Sequence, residues 1–407
     1  MSMDSEDEIQ VDGFDDVKHT PVVLKNLFFP WHKPRKQYIR LEQWNSAAAS
    51  LIQALNLSDG RRSLEYLSLP GPDLLDVRAL YFVCEAAGVK LKFTGLNHIP
   101  PEKKALLSDQ LISLDELRNR DFIDNASDVY PDKLENLSKK DSIAYQRVIK
   151  LAGTYDVINI DLCDSFLGAP PQDKQENYYN SLFELLRYQA DNRNEDWLFF
   201  ITSRTNSDMV DPKTFLRFIE VLESVFEVDD DLYNHIVNSG IFSADFFNGK
   251  KLSRPPLDSK TFGNVVATGI GKWVFSSLVE NLPAHRSKML KLFSYNVSVE
   301  EGHCDMISLG FWCKKNPSPA RDPLGLAKGV IPAGDSIDVL KSKGLKQIVD
   351  SVSSAIDIDK LLCQNGLFEQ YLHLSAELMR SARYDPQAYM KWATAEHEQV
   401  AQAIPQR

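Results

Sequence analysis

The run "YDVINIDLCDSF", followed after one helical segment by "DWLFFITS", constrains this chain more than any other feature. Both runs are apolar at successive positions instead of alternate ones, so each predicts a strand covered on both faces. Between them, "NYYNSLFELLRYQADN" carries its apolar residues at helical spacing. Doubly buried strands joined through a helix belong to a parallel sheet with helices packed on it. The same alternation runs upstream. "SLEYLSL" reads as a strand, and "PDLLDVRALYFVCEAAG" as a helix with Leu74, Val77, Tyr81 and Cys84 on one side and Gly88 as its C-cap. "VKLKFTGL" reads as a second strand, and a short third one is expected near "SDVY". Downstream, a helix around Phe262 to Leu282 precedes "KLFSYNVSV" and "DMISLGFWCKK", which are separated only by "EEGHC". That link is too short for a parallel crossover, so the last two strands are expected to form an antiparallel hairpin.

The flanks read differently. Residues 1–16 form an acidic stretch expected to be disordered. Residues 17–62 carry an aromatic-basic segment running into a helix with Trp44, Leu51, Ile52 and Leu55 on one side. Residues 63–316 are the α/β domain, with a helical insertion at about 206–260. Residues 317–407 read as a Pro/Gly-rich linker and a C-terminal helical appendage, of a kind that docks a protein partner or another copy.

Composition narrows the classes of function. A net charge of −11 and a pI near 5.3 remove a whole-surface footprint for nucleic acid, although a local basic patch can still serve. Five scattered cysteines without CxxC spacing fit a reducing compartment and argue against a disulfide framework or a structural zinc. The histidines show no HExxH pairing, and His303 and Cys304 are expected in a solvent-exposed hairpin turn, so no metal is expected. The acidic start lacks the features of a secretory signal, and Lys272 interrupts the most apolar later stretch. A cytoplasmic protein with no membrane span is expected.

A mostly parallel sheet ending in one reversed strand, over roughly Ser63 to Lys315, resembles the class I S-adenosylmethionine-dependent methyltransferases. The rival is a plain dinucleotide-binding fold, which would continue with parallel strands. The resemblance implies S-adenosylmethionine as cofactor, bound by a Gly-x-Gly turn after the first strand. Here the stretch is "SLPGPDLLD": Ser68 stands at the family's acidic position, Pro70 and Pro72 stand at or near its glycines, and Gly71 remains. Pro72 suits the first helical position, with Asp73 and Asp76 in the first turn. Those carboxylates disfavour a pyrophosphate and tolerate a sulfonium. A tight connection that binds nothing is the competing reading of the turn. The resemblance further assigns Asn97 to the ribose hydroxyls and Asp132 to the adenine edge, where a simple turn aspartate is the alternative.

At the end of the fourth strand "NIDLCDSF" delivers Asp161 and Asp164 to the edge where open α/β sheets hold ligands. Asp161 can orient a methyl acceptor or take its proton. Asp164 can act there or cap the next segment, and Cys163 is a packed small residue or a nucleophile. Arg204, after the fifth strand with Ser203 and Asn206, can pair with Asp161, Asp164 or an anionic substrate, or serve only in a structural ion pair. "FPWHKPRKQYIRLEQW" interleaves Lys33, Arg35, Lys36 and Arg40 with Trp31, His32, Tyr38 and Trp44. This segment suits nucleic-acid contact, or docking over the cleft with its cations on acids such as Asp161. The 206–260 insertion is a candidate substrate cap or a plain surface elaboration. Two functional expectations follow. One is an S-adenosylmethionine-dependent methyltransferase acting on nucleic acid or protein. The other is a non-catalytic scaffold or recognition subunit of a larger bacterial complex.

Overall fold

The computed structural model describes residues 24–60, 62–169, 176–280, 284–297, 304–316, 336–364 and 366–404. The acidic stretch 1–16, the hairpin link with His303 and the 317–335 linker lie outside these residues. After a single turn at Pro30–His32 come α1 (Pro34–Ile39), wide π-type turns at Arg40–Asn45, and α2 (Ser46–Ala54). The alternating part follows as β1 (Leu64–Ser68), α3 (Leu75–Ala87), β2 (Leu91–Leu96), α4 (Lys104–Arg118) and β3 (Asp128–Tyr130). It continues with β4 (Val157–Asp161), α5 (Tyr178–Asn192) and β5 (Trp197–Arg204). The insertion contributes α6 (Pro212–Val228), α7 (Asp230–Ser239) and the small pair β6 (Phe247–Asn248) and β7 (Lys251–Leu252). Then come α8 (Ser259–Val279), β8 (His285–Met289), β9 (Phe293–Tyr295) and β10 (Met306–Lys315). The C-terminal part holds α9 (Ile337–Ser353), β11 (Ile356–Asp357), α10 (Ile358–Leu362), α11 (Leu367–Ser381) and α12 (Pro386–Ala403).

The described strands form a mostly parallel nine-stranded sheet, with the order β11-β9-β10-β5-β4-β1-β2-β3 and β8 also on β10. Parallel pairing runs from β3 through β2, β1 and β4 to β5. β10 pairs antiparallel with β5, Leu309 opposite Ile201, and antiparallel with β9, Ile307 opposite Ser294. β8 is a strand with no sequence expectation behind it. Its polar alternation, His285 to Met289, carries little apolar signal.

The doubly apolar strands divide their side chains between two cores, as their pattern predicts. Leu67, Ile158, Phe199 and Ile201 point to one core with α5, α6 and α8. Tyr66, Val157, Leu198 and Phe200 point to the other, with α2, α3 and α11. Gly88 closes α3 with φ 68, the left-handed geometry a C-cap glycine provides.

The flanks depart from the expected domain boundaries. The C-terminal helices are not an appendage. β11 adds parallel to β9 inside the main sheet, and Phe368, Tyr371, Leu372 and Met379 of α11 are buried in the core shared with α1 to α3. Nor is the N-terminal segment separate: Gln43 donates to the carbonyls of Lys291 (2.9 Å) and Ser308 (3.1 Å), and Tyr389 donates to the carbonyl of His32 at 2.7 Å. An amphipathic stripe shows that a helix needs cover, but not which surface supplies it.

Candidate functional site

The carboxyl ends of β1, β2, β3 and β4 open into a cavity of about 420 Å³. Its walls include the turn Leu69–Asp76, Asn97, Asp132, Asp161 to Asp164, Tyr178, and Trp31 and Arg40 from the N-terminal segment. Gly71, Asn97 and Asp161, far apart in sequence, therefore share one crevice. The volume lies within the usual range for small-molecule sites.

The turn after β1 is built differently from the sequence expectation. Pro72 is not the first helical residue: Leu74 N donates to Gly71 O at 3.0 Å, and α3 begins only at Leu75. Leu74 caps it in the left-handed region at φ 50, which costs a non-glycine residue about 1 kcal/mol. Asp76 keeps its place in the first turn, whereas Asp73 precedes the helix. Pro70 rests on β2, since a Cβ added at Gly95 would come within 2.8 Å of Pro70 Cγ. Ser68 is buried at the end of β1.

Asp73 is committed to structure. Lys25 pairs with it, Tyr384 donates to it at 2.8 Å, and His32 lies 3.6 Å away. Burial alone would raise its pKa, but these contacts outweigh it and hold the group at about 2. Asp76 accepts from Tyr66 at 2.8 Å, and burial pushes its carboxyl up from the usual value. Asn97 donates to Gln110 at 2.6 Å. Asp132 accepts from the Lys133 and Ala144 amides, both at 2.8 Å, and from Asn136. Both its oxygens are thus engaged by its own loop, the behaviour of a turn aspartate.

Asp161, 24% exposed, pairs with Lys36, which is buried over the Trp44 ring and 3.3 Å from the Tyr295 hydroxyl. Burial lowers the Lys36 pKa, and Asp161 opposes that shift. The Trp31–Trp44 segment is thus docked on the cleft. Its cations face inward: Lys33 pairs with Glu396, and Arg35 with Glu396 (3.0 Å) and Asp359 (3.2 Å). Of the two expectations for this segment, nucleic-acid contact or docking over the cleft, the structure has the docked arrangement, with these charges used inside the fold. Asp164 lines the cavity, and its carbonyl accepts from the Arg204 amide at 3.2 Å. Cys163 is exposed on the rim, and partial desolvation of its sulfur, followed by the negative charge of Asp161, raises its thiol pKa.

Other expectations are corrected. Arg204 forms a structural ion pair with buried Asp305, one of its two expected roles, and not a pair with Asp161 or Asp164, and it does not line the cavity. No residue of 206–260 lines this cavity. That stretch instead adds Phe215, Ile219 and Phe226 to the core, so it is no cap here. Cys304 is half-buried instead of exposed, its sulfur within 4.8 Å of carboxylate oxygens of Asp357 and Asp359. Asp359 there already accepts from the Asn296 amide at 2.6 Å. Sequence reasoning missed the Asp73 network, with Lys25 and Tyr384 lying 48 and 311 positions away, and the pairing of Asp305 with Arg204, 101 positions away. Among the described residues, no helix is long and apolar enough to cross a membrane.

The fold and cavity define an α/β protein with a ligand-sized crevice at the carboxyl edge of a mostly parallel sheet. A family model described as PP_RS20740-like matches residues 25–394, and the chain belongs to that family. No curated protein matches the chain.

Proposed function

We propose that the chain is a class I methyltransferase-like protein that binds S-adenosylmethionine in the crevice above Gly71, Asn97 and Asp161. The observation that carries this reading is the strand sequence β3-β2-β1-β4-β5-β10-β9 with β10 reversed, combined with a cavity over the β1 turn. The residues suit the cofactor in part. Gly71 lets a ligand approach the backbone, Asn97 can reach a diol, and the surrounding carboxylates favour a cation over a phosphate. Asp132, held by its loop, is a poor adenine ligand.

When bound, S-adenosylmethionine supplies an electrophilic methyl group. The chain would orient the acceptor and take its proton at the Asp161 carboxylate once Lys36 moves off it. Trp31 and the α1 segment would exclude water from the crevice. Isothermal titration with S-adenosylmethionine and S-adenosylhomocysteine tests the proposal. Binding with a thermal shift is expected, and neither heat nor protection would reject it.

The Lys36–Asp161 pair also favours a second reading, a cleft whose acceptor side is permanently filled in a non-catalytic scaffold subunit. Under that reading Asp161→Ala leaves biological activity intact, whereas the first reading requires its loss.

A further inference from the structure

We infer that Arg40 is the receptor for the carboxylate of an α-amino-acid head group on the cavity's ligand. The identity of that ligand as an adenosyl compound rests on the proposed function above; the role of Arg40 rests on its own surroundings. Arg40 is only 5% exposed and lines the cavity. It donates from one terminal nitrogen to the Trp31 carbonyl at 3.0 Å, and its Nε has no partner. Among the described residues no carboxylate comes within ion-pair distance of it, although Asp161 and Asp76 act on it through space. Its neighbours differ, since Lys25, Lys33, Arg35 and Lys36 each have a carboxylate.

A guanidinium buried without a counter-ion is a costly arrangement, and a sequence keeps one where an anion arrives from outside. The wide turns at Arg40–Asn45 point the same way, because such distortions of a helix often sit at functional positions. The class of anion follows from the walls. Asp73, Asp76, Asp161 and Asp164 line the same cavity, and together they would repel a di- or triphosphate. A single carboxylate beside an ammonium is neutral as a unit. Its two oxygens match the guanidinium fork, and its ammonium is welcome among the acids.

The test compares S-adenosylhomocysteine with methylthioadenosine, the same nucleoside thioether without the amino-acid head, by titration of the full chain. The wild type is expected to prefer S-adenosylhomocysteine by about tenfold or more. Arg40→Gln is expected to lose that preference, with methylthioadenosine affinity unchanged and a thermal midpoint equal to or above the wild type. A preference that survives in Arg40→Gln, or equal weakening of both compounds, overturns the assignment. Should Arg40→Gln not fold, Arg40→Lys serves the same comparison and is expected to keep part of the preference. If neither adenosyl compound binds, methionine is the deciding probe. Protection of the wild type but not of the variant keeps Arg40 as the receptor and rejects the adenosyl ligand. No response to any of the three compounds overturns both.

Discussion

Lys36 and Asp161 each depend on the other, but unequally. Lys36 is buried and pairs with no other acid among the described residues, whereas Asp161 is partly in water. Asp161→Asn should therefore cost about 3 kcal/mol in urea unfolding, because it strands a buried ammonium. Adding Lys36→Met to Asp161→Asn should recover most of that loss, giving a clear coupling energy in a double-mutant cycle. Asp73 makes a different prediction. Its folded pKa, about 2, lies below the ordinary carboxylate value, so the stability it adds is complete above pH ~4 and is lost as pH falls towards 2. The drop should be roughly 2 kcal/mol in the wild type and largely absent in Asp73→Asn, measured by chemical denaturation across that range. His32 adds to the acid sensitivity, since burial lowers its pKa and the unfolded chain takes up the proton first.

At the scale of elements, close packing of α8 on α9 is set by small residues. A methyl group at Gly344 would fall within the ring of Phe275, so Gly344→Ala should destabilise by about 1–3 kcal/mol in thermal or urea unfolding. The elements that could be read from sequence were those with a dense local signal. β4 and β5 are apolar without a break, α5 has its stripe and Asn177 as an N-cap, and α3 ends on Gly88. The carboxylates at the rim could be placed for the same reason: a strand's end fixes where its next residues go. Partners across the chain were not legible. Nothing near Arg204 marks Asp305 as its counter-ion, and nothing in α11 distinguishes a neighbouring chain from α1. The start of α3 failed locally, because proline at the first helical position is a preference that the Gly71–Leu74 turn overrode.

At the scale of the molecule, the segments on either side of the alternating part hold the cavity's walls from behind. Removing residues 336–407 would take away β11, the acids that neutralise Lys33 and Arg35, and the hydroxyl of Tyr384 on Asp73. Such a chain should fail to give soluble protein with the far-UV circular dichroism of the whole. A truncated chain that folds at the original midpoint would restore the picture of a detachable appendage. Lys25 bridges to Tyr384 as neighbouring strands do, and the His32 carbonyl waits for a hydroxyl 357 positions onward. The early segment is therefore held in part by residues more than 350 positions further along the chain. The wall that Trp31 and Arg40 give the crevice thus leans on α12, so loosening that helix should loosen the ligand site although none of its residues lines the cavity.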